Sequence, residues 1–225
     1  MISEIYNCDN MELMAKYPDN YFELAIVDPP YGIDADKAQN AAAEARIKAN
    51  GKSKAGKGWK SYKQTEWDNG IPDAEYFKEL KRVSKNQIVW GGNYMTEHLP
   101  PSMGWILWDK GQRDFSLADG ELAWSSFNKA LRIFELSRGA ALANNNQDTK
   151  GRIHPTQKPV RLYEWLLANY AKEGDKILDT HLGSGSSRIA CHNLKFDFTG
   201  CELDKDYFDQ AEARYQEHIK QLTLF

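Results

Sequence analysis

Lys176-Ile177-Leu178-Asp179-Thr180-His181-Leu182-Gly183-Ser184-Gly185 passes in ten residues from an apolar run to a glycine-rich turn. The run reads as a short buried strand. Gly183 and Gly185 permit φ > 0 and close backbone approach, and a helix from about Ser186 to Leu194 follows, with its first N–H groups facing whatever the turn binds. Strand, turn and helix in this order form the unit of an open α/β sheet, whose ligands lie outside the carboxyl ends of the strands. No Gly-Lys-Ser/Thr follows, so the turn is not a P-loop. One strand further on, Glu202 ends Phe198-Thr199-Gly200-Cys201, about twenty residues beyond the turn, where an acid can accept from both hydroxyls of a ribose. The glycine pair alone also fits a plain tight turn; with Glu202 it points to a nucleoside-containing cofactor.

The flanking sequence repeats the alternation. Phe22 to Val27 is an apolar run stopped at Asp28-Pro29-Pro30-Tyr31, which reads as a buried strand ended by two prolines. Asp73 to Val83 has a helical period in Tyr76, Phe77, Leu80 and Val83. Gln87 to Trp90 and Trp105 to Trp108 read as strands, and Glu121 to Ser126 with Leu131 to Leu136 as a further strand pair, one antiparallel element. Pro159 to Tyr170 is an amphipathic helix with Gly174 past its end. Phe196 to Cys201 is a strand, and Lys205 to Gln221 a terminal helix. The expected fold is α/β, a mostly parallel twisted sheet with helices on both faces, as one domain over 1–225.

The second strand-end loop has its own chemistry. Pro29 and Pro30 remove two N–H donors and fix the backbone, so the carbonyls and the Asp28 carboxylate form a rigid set of acceptors. The flat ring of Tyr31 follows. Acceptors beside a stacking ring suit an exocyclic amino group on a flat heterocycle.

Composition narrows the classes. Among 225 residues, 41% are hydrophobic and 12% aromatic, which provides a real core and excludes a wholly disordered chain. No apolar run approaches the roughly 20 residues of a membrane span, and Met1-Ile2-Ser3-Glu4 lacks the features of a signal peptide. Three scattered cysteines, Cys8, Cys191 and Cys201, make no metal-ligand spacing and fit a reducing cytoplasm. The net charge is −3, so any nucleic-acid binding must come from a local patch. Residues 34–63 hold eight bases against three acids, +5 locally and −8 elsewhere. Around Lys52, Lys54 and Lys57 this stretch has almost no apolar content, so it reads either as a solvated insert or as an arm that neutralises phosphates.

Together these residues resemble the S-adenosylmethionine-dependent DNA amino-methyltransferases. Asp28-Pro29-Pro30-Tyr31 matches that family's catalytic (D/N/S)PP(Y/F/W) motif. Asp179 to Ser186 is similar to its cofactor motif, DPFxGSGT. His154-Pro155-Thr156-Gln157-Lys158-Pro159 resembles the segment that precedes the cofactor motif, and Cys8-Asp9-Asn10 through Tyr31 resembles the usual opening. The likeness spans 1–33 and roughly 73–225. Catalytic motif first and cofactor motif last is similar to the permuted β-type order, and Asp at the first motif position resembles adenine-N6 more than cytosine-N4 enzymes. Two departures stand out. Thr180-His181 replaces Pro-Phe, and only about seventeen residues, 137–153, stand where larger relatives carry a target-recognition domain.

The resemblance implies methyl transfer from S-adenosylmethionine to adenine N6 in double-stranded DNA, as in restriction-modification systems, with the target base flipped out. Asp28 and the Pro29 carbonyl would accept the amine N–H bonds, Pro30 would stiffen the loop, and Tyr31 would stack on the base. Glu202 would hold the cofactor ribose, Gly183 and Gly185 would close on its methionine part, and Asp179 would steady the ammonium. Thr156 and Lys158 would meet the carboxylate. Asp9 would lie beside the cofactor's adenine, or simply cap the helix from about Asn10. Lys52, Lys54 and Lys57, in the basic insert at about 34–72, would contact DNA. Neither a metal nor a membrane is expected. The resemblance allows a homodimer, for which the sequence marks no self-complementary face. Cytosine-N4 methylation and a catalytically silent DNA-binding subunit of the same fold are the alternatives.

Overall fold

The computed structural model describes residues 1–33, 70–113, 118–137, 139–141 and 153–222. Eight strands form one sheet: β1 (Ser3–Tyr6), β2 (Phe22–Val27), β3 (Ser84–Trp90), β4 (Ile106–Asp109), β5 (Gly120–Ser125), β6 (Arg132–Glu135), β7 (Lys176–Asp179) and β8 (Asp197–Cys201). Their spatial order is β1-β8-β7-β2-β3-β5-β4-β6. The helices are α1 (Asn10–Met14), α2 (Ala74–Val83), α3 (Val160–Tyr170), α4 (Ser186–Leu194) and α5 (Lys205–Leu222).

The central strands of the sheet are buried on both faces, as their apolar sequences require. In β2, Leu24 and Ile26 join one core with Leu162, Leu166 and Leu167 of α3 and Ala190 of α4. Phe22, Ala25 and Val27 join the other, with Leu13 and Met14 of α1 and Phe77, Leu80 and Val83 of α2. Each fully buried Leu or Phe contributes about 1.5–3 kcal/mol. Sequence chemistry marks the helix starts: the Asp73 carboxylate accepts from the Tyr76 N–H, 3.0 Å, and Pro159 precedes α3.

β5 is the reversed strand. It runs antiparallel to β3 and to β4, whereas the pairs β1–β8, β8–β7, β7–β2, β2–β3 and β4–β6 are parallel. The expected pairing of the two strands at 121–136 with each other does not form, because β4 lies between them. Burial explains the order. Ile106 and Trp108 of β4 are buried and need cover on both sides, while Arg132, Ile133 and Glu135 of β6 are exposed, as a sheet margin tolerates. β1, absent from the sequence reading, forms the opposite margin against β8.

The expected basic insert falls almost wholly on 34–69, and the short 137–153 segment mostly on 142–152; both lie outside the described residues. The flanks of the first converge, since a Cβ on Gly32 would lie 3.4 Å from the Gly70 Cα. Among the described residues no helix is long and apolar enough to cross a membrane.

Candidate active site

The chain leaves β2 for β3 on one side and β7 for β8 on the other, so β2 and β7 flank a switch point. They are direct neighbours, with Leu24 opposite Ile177 and Ala25 opposite Leu178. Adjacent strands lie about 4.8 Å apart, which sets the loops starting at Asp28 and Thr180 side by side. Two motifs remote in sequence thus open onto one crevice.

On the β2 side lies a pocket of alternating charge. The Tyr31 hydroxyl donates to Asp28 Oδ1 at 2.7 Å, and the Lys158 ammonium meets Asp28 Oδ2 at 2.6 Å. The same ammonium donates to the Tyr31 hydroxyl at 3.1 Å and meets Glu121 Oε2 at 3.2 Å. Lys110 closes the row at Glu121 Oε1, 2.5 Å. Lys158 is only 4% exposed, packed under the Trp90 and Tyr31 rings at 5.2 and 5.5 Å, so its charge depends on these carboxylates. Burial opposes that charge, yet Asp28 and Glu121 outweigh it and hold the lysine above its ordinary value. Burial likewise pushes Glu121 up, but Lys158 and Lys110 reverse this and bring it to about 2. For Asp28 burial prevails and its carboxyl is raised.

The Tyr31 ring is fixed from below. Gly91, at φ +67°, ends β3 where a Cβ would stand 2.2 Å from Tyr31 Cε1, so only glycine admits the ring. Tyr94, on the following short 3₁₀ turn, stacks on Tyr31 with centroids 5.3 Å apart and planes 18° apart.

On the β7 side, Gly183 (φ +51°) and Gly185 (φ +72°) both adopt the left-handed conformation. A Cβ on Gly183 would meet only the His154 ring, at 3.9 Å, so the turn leaves room above it. Glu202 Oε2 accepts from the Gly183 N–H at 2.8 Å and Oε1 from the Asp204 N–H at 2.9 Å, leaving lone pairs for a ligand. Asp179 is 2% exposed, and its oxygens accept from the His181 N–H at 3.0 Å and the Ser187 hydroxyl at 2.5 Å. Burial raises it to about 7. Arg214 of α5 braces the turn at the Ser184 carbonyl, 2.8 Å. These residues fit a nucleoside cofactor: a cradle without Cβ atoms, a helix start and a ribose-height acid. His181 is also informative. Burial lowers it to about 4, and its ring packs edge-on against Tyr76, centroids 5.3 Å apart, so at neutral pH it is an uncharged aromatic ring.

Segment 154–159 joins the two sides. His154 faces Gly183 and accepts from the Thr156 N–H at 3.3 Å, while Lys158 enters the acceptor pocket. Lys158 therefore meets the Asp28 carboxylate, a contact the sequence does not announce. Asp9 caps α1, accepting from the Met11 N–H at 2.8 Å. Lys52, Lys54 and Lys57 lie outside the described residues. Sequence reasoning missed Glu121, Gly91 and Tyr94. The available signals were an acid opening an apolar strand and a Gly-Gly pair directly after another.

A switch-point crevice with a charged pocket around Asp28 on one side and a glycine turn with a ribose-height acid on the other fits an α/β group-transfer site. Comparison with known proteins agrees. The DNA methylase family matches residues 89–213, more than half of the sequence, and the chain belongs to this family, the S-adenosylmethionine-dependent DNA amino-methyltransferases of N6/N4 type. It is 25% identical to the type II methyltransferase M.BglII of Bacillus subtilis over 93% of its own length and 68% of that protein. It is 28% identical to M2.DpnII of Streptococcus pneumoniae over 64% of its length, spanning about half (53%) of that relative. The M1.HpyAVI–SAM complex shares the fold, with a TM-score of 0.58 at 20% identity over 95% of this chain and 100% of that one. The cytosine-N4-specific PvuII methyltransferase does so at 0.58 and 12% identity, over 98% and 91%.

Proposed function

We infer that the protein methylates adenine N6 of a flipped-out base in double-stranded DNA, with S-adenosylmethionine as methyl donor. The observation that carries this reading is the adjacency of β2 and β7, which opens the Asp28 pocket and the glycine turn onto one crevice. When bound, the cofactor supplies an electrophilic methyl group. Gly183 and Gly185 would line its methionine part, Glu202 its ribose, and Asp179 its ammonium.

The protein's task is to make a poor nucleophile reactive. The lone pair of an exocyclic amine is delocalised into the ring. Asp28 and the Pro29 carbonyl accept its two N–H bonds, which favours a more tetrahedral nitrogen with the lone pair directed across the crevice. The raised Asp28 carboxyl takes the proton as charge develops on nitrogen. A base inside a stacked duplex cannot reach this pocket, so it must be extruded, with the Tyr31 ring beside it; stacking of this kind is worth about 1–3 kcal/mol. Digesting methylated DNA to nucleosides tests the reading. N6-methyldeoxyadenosine is expected, and N4-methyldeoxycytidine or no modified nucleoside contradicts it.

Two further results are expected. Asp179 is protonated below about 7 in the free protein, and a neutral carboxyl does not attract an ammonium. Cofactor binding then expels that proton, so affinity rises with pH up to about 7; calorimetry in buffers of different ionisation enthalpy measures the release, and Asp179→Asn should abolish it. Changing Lys52, Lys54 and Lys57 together to Gln should weaken DNA binding and flatten its salt dependence by roughly two to three units of slope. An unchanged slope returns the segment to a solvated insert.

A further inference from the structure

Glu121 reaches the acceptor pocket by topology. β5 runs against its neighbours, so its start, where Gly120 pairs with Asp109 and Glu121 with Trp108, lies at the sheet edge where the parallel strands end. A carboxylate thus enters beside Asp28 from a strand outside the motifs at 28–31, 154–159 and 179–186. One buried lysine would already neutralise Asp28. A second carboxylate on the same ammonium must do something else.

The hydrogen-bond count shows what. An ammonium has three donors. Those of Lys158 go to Asp28 Oδ2 (2.6 Å), the Tyr31 hydroxyl (3.1 Å) and Glu121 Oε2 (3.2 Å). Glu121 therefore takes the donor that would otherwise be free to engage Asp28 a second time or to turn away. Asp28 receives one bond on each oxygen, from Lys158 and from Tyr31, and keeps a lone pair on each. Lys110, with 13% of its side chain exposed, anchors the outer oxygen of Glu121.

We propose that Glu121 is a positioning residue for methyl transfer: it holds Lys158 in the one orientation that fixes the Asp28 carboxylate while leaving it open to the incoming amine. This rests on Asp28 being the amine acceptor. The groups that meet Lys158 are Asp28 and Tyr31 after β2 and Glu121 on β5; Glu121 in turn meets Lys110 after β4, and the Asp28 charge is felt by Tyr163 on α3 and Asp179 on β7.

The test is single-turnover methyl transfer to DNA by the full chain, with radiolabelled S-adenosylmethionine, across a pH series. In the parent, two carboxylates hold Lys158 above its ordinary value, so they should keep the alkaline limb of the profile high. Glu121→Gln removes one of them and burial then gains, so the rate should fall roughly 10–100-fold and the alkaline decline should move to lower pH than in the parent. Cofactor affinity should stay within a few-fold, and Glu121→Asp should restore part of the rate. A Glu121→Gln protein with the parent's rate and profile overturns the proposal. Should that variant fail to fold, Lys110→Met decides: a smaller shift of the alkaline limb in the same direction supports the role, and a parental profile refutes it. Asp28→Ala in parallel separates the two readings. If it transfers normally, the amine-acceptor reading fails; if it is inactive while Glu121→Gln and Lys110→Met are parental, only the role of Glu121 fails.

Discussion

Replacing Asp28 with alanine is expected to reduce methyl transfer to DNA by roughly 10²–10³-fold or more, the cost of removing a group aimed at charge that develops in the transition state. Cofactor affinity should change by no more than a few-fold, because the glycine turn, Glu202 and Asp179 belong to β7, α4 and β8 and hold one another without Asp28. Stability should also survive. Lys158 loses one carboxylate but retains Glu121 at 3.2 Å, so no buried ammonium is left unpaired. Rapid-quench transfer and filter-binding assays on the same preparation separate the two effects. Undiminished turnover would remove Asp28 from the chemistry.

Lys158→Met should act in the opposite way, on the fold first. The substitution keeps much of the aliphatic volume beneath Trp90 and Tyr31 but leaves Asp28 and Glu121 facing each other without their shared cation. Breaking a buried ion pair from one side costs about 3–5 kcal/mol, which for a domain of this size lowers Tm by on the order of 10 °C. The pH dependence has a definite sign. In the parent, the depressed Glu121 stabilises the fold above its unfolded value, and this contribution is lost as pH falls toward about 2. In the variant the raised Asp28 no longer needs a counter-ion once protonated, so its penalty fades in acid. The difference in Tm between parent and variant should therefore shrink as pH falls from neutrality. A gap that is constant with pH would mean that Lys158 contributes packing alone.

Much of this site was legible because its parts are local. Phe22–Val27 stops at two prolines, Asp73 caps α2, and the glycine turn announces α4; each signal lies within a few residues of what it determines. What the sequence concealed is what depends on distant partners. Ser3–Tyr6 is short and half polar, and it is a strand only because β8 supplies its hydrogen bonds from the far end of the chain. The strands at 121–136 suggested a hairpin because neighbours in sequence usually pair, and the choice of β4 as the common partner depended on burial. Lys158 pairs with an acid far away in sequence, and a buried ion pair has no periodicity to betray it. The reversed direction of β5, which brings Glu121 to the pocket, became visible only with the sheet order.

A structure of the protein bound to a duplex and to a demethylated or inert cofactor analogue tests the shared crevice directly. The amino nitrogen of an extruded base should lie within about 3 Å of an Asp28 oxygen, with the analogue seated on Gly183 and Glu202 and its sulfur or equivalent atom directed at that nitrogen. A base amine held away from Asp28, or an analogue whose reactive end opens away from the β2 loop, would contradict the mechanism.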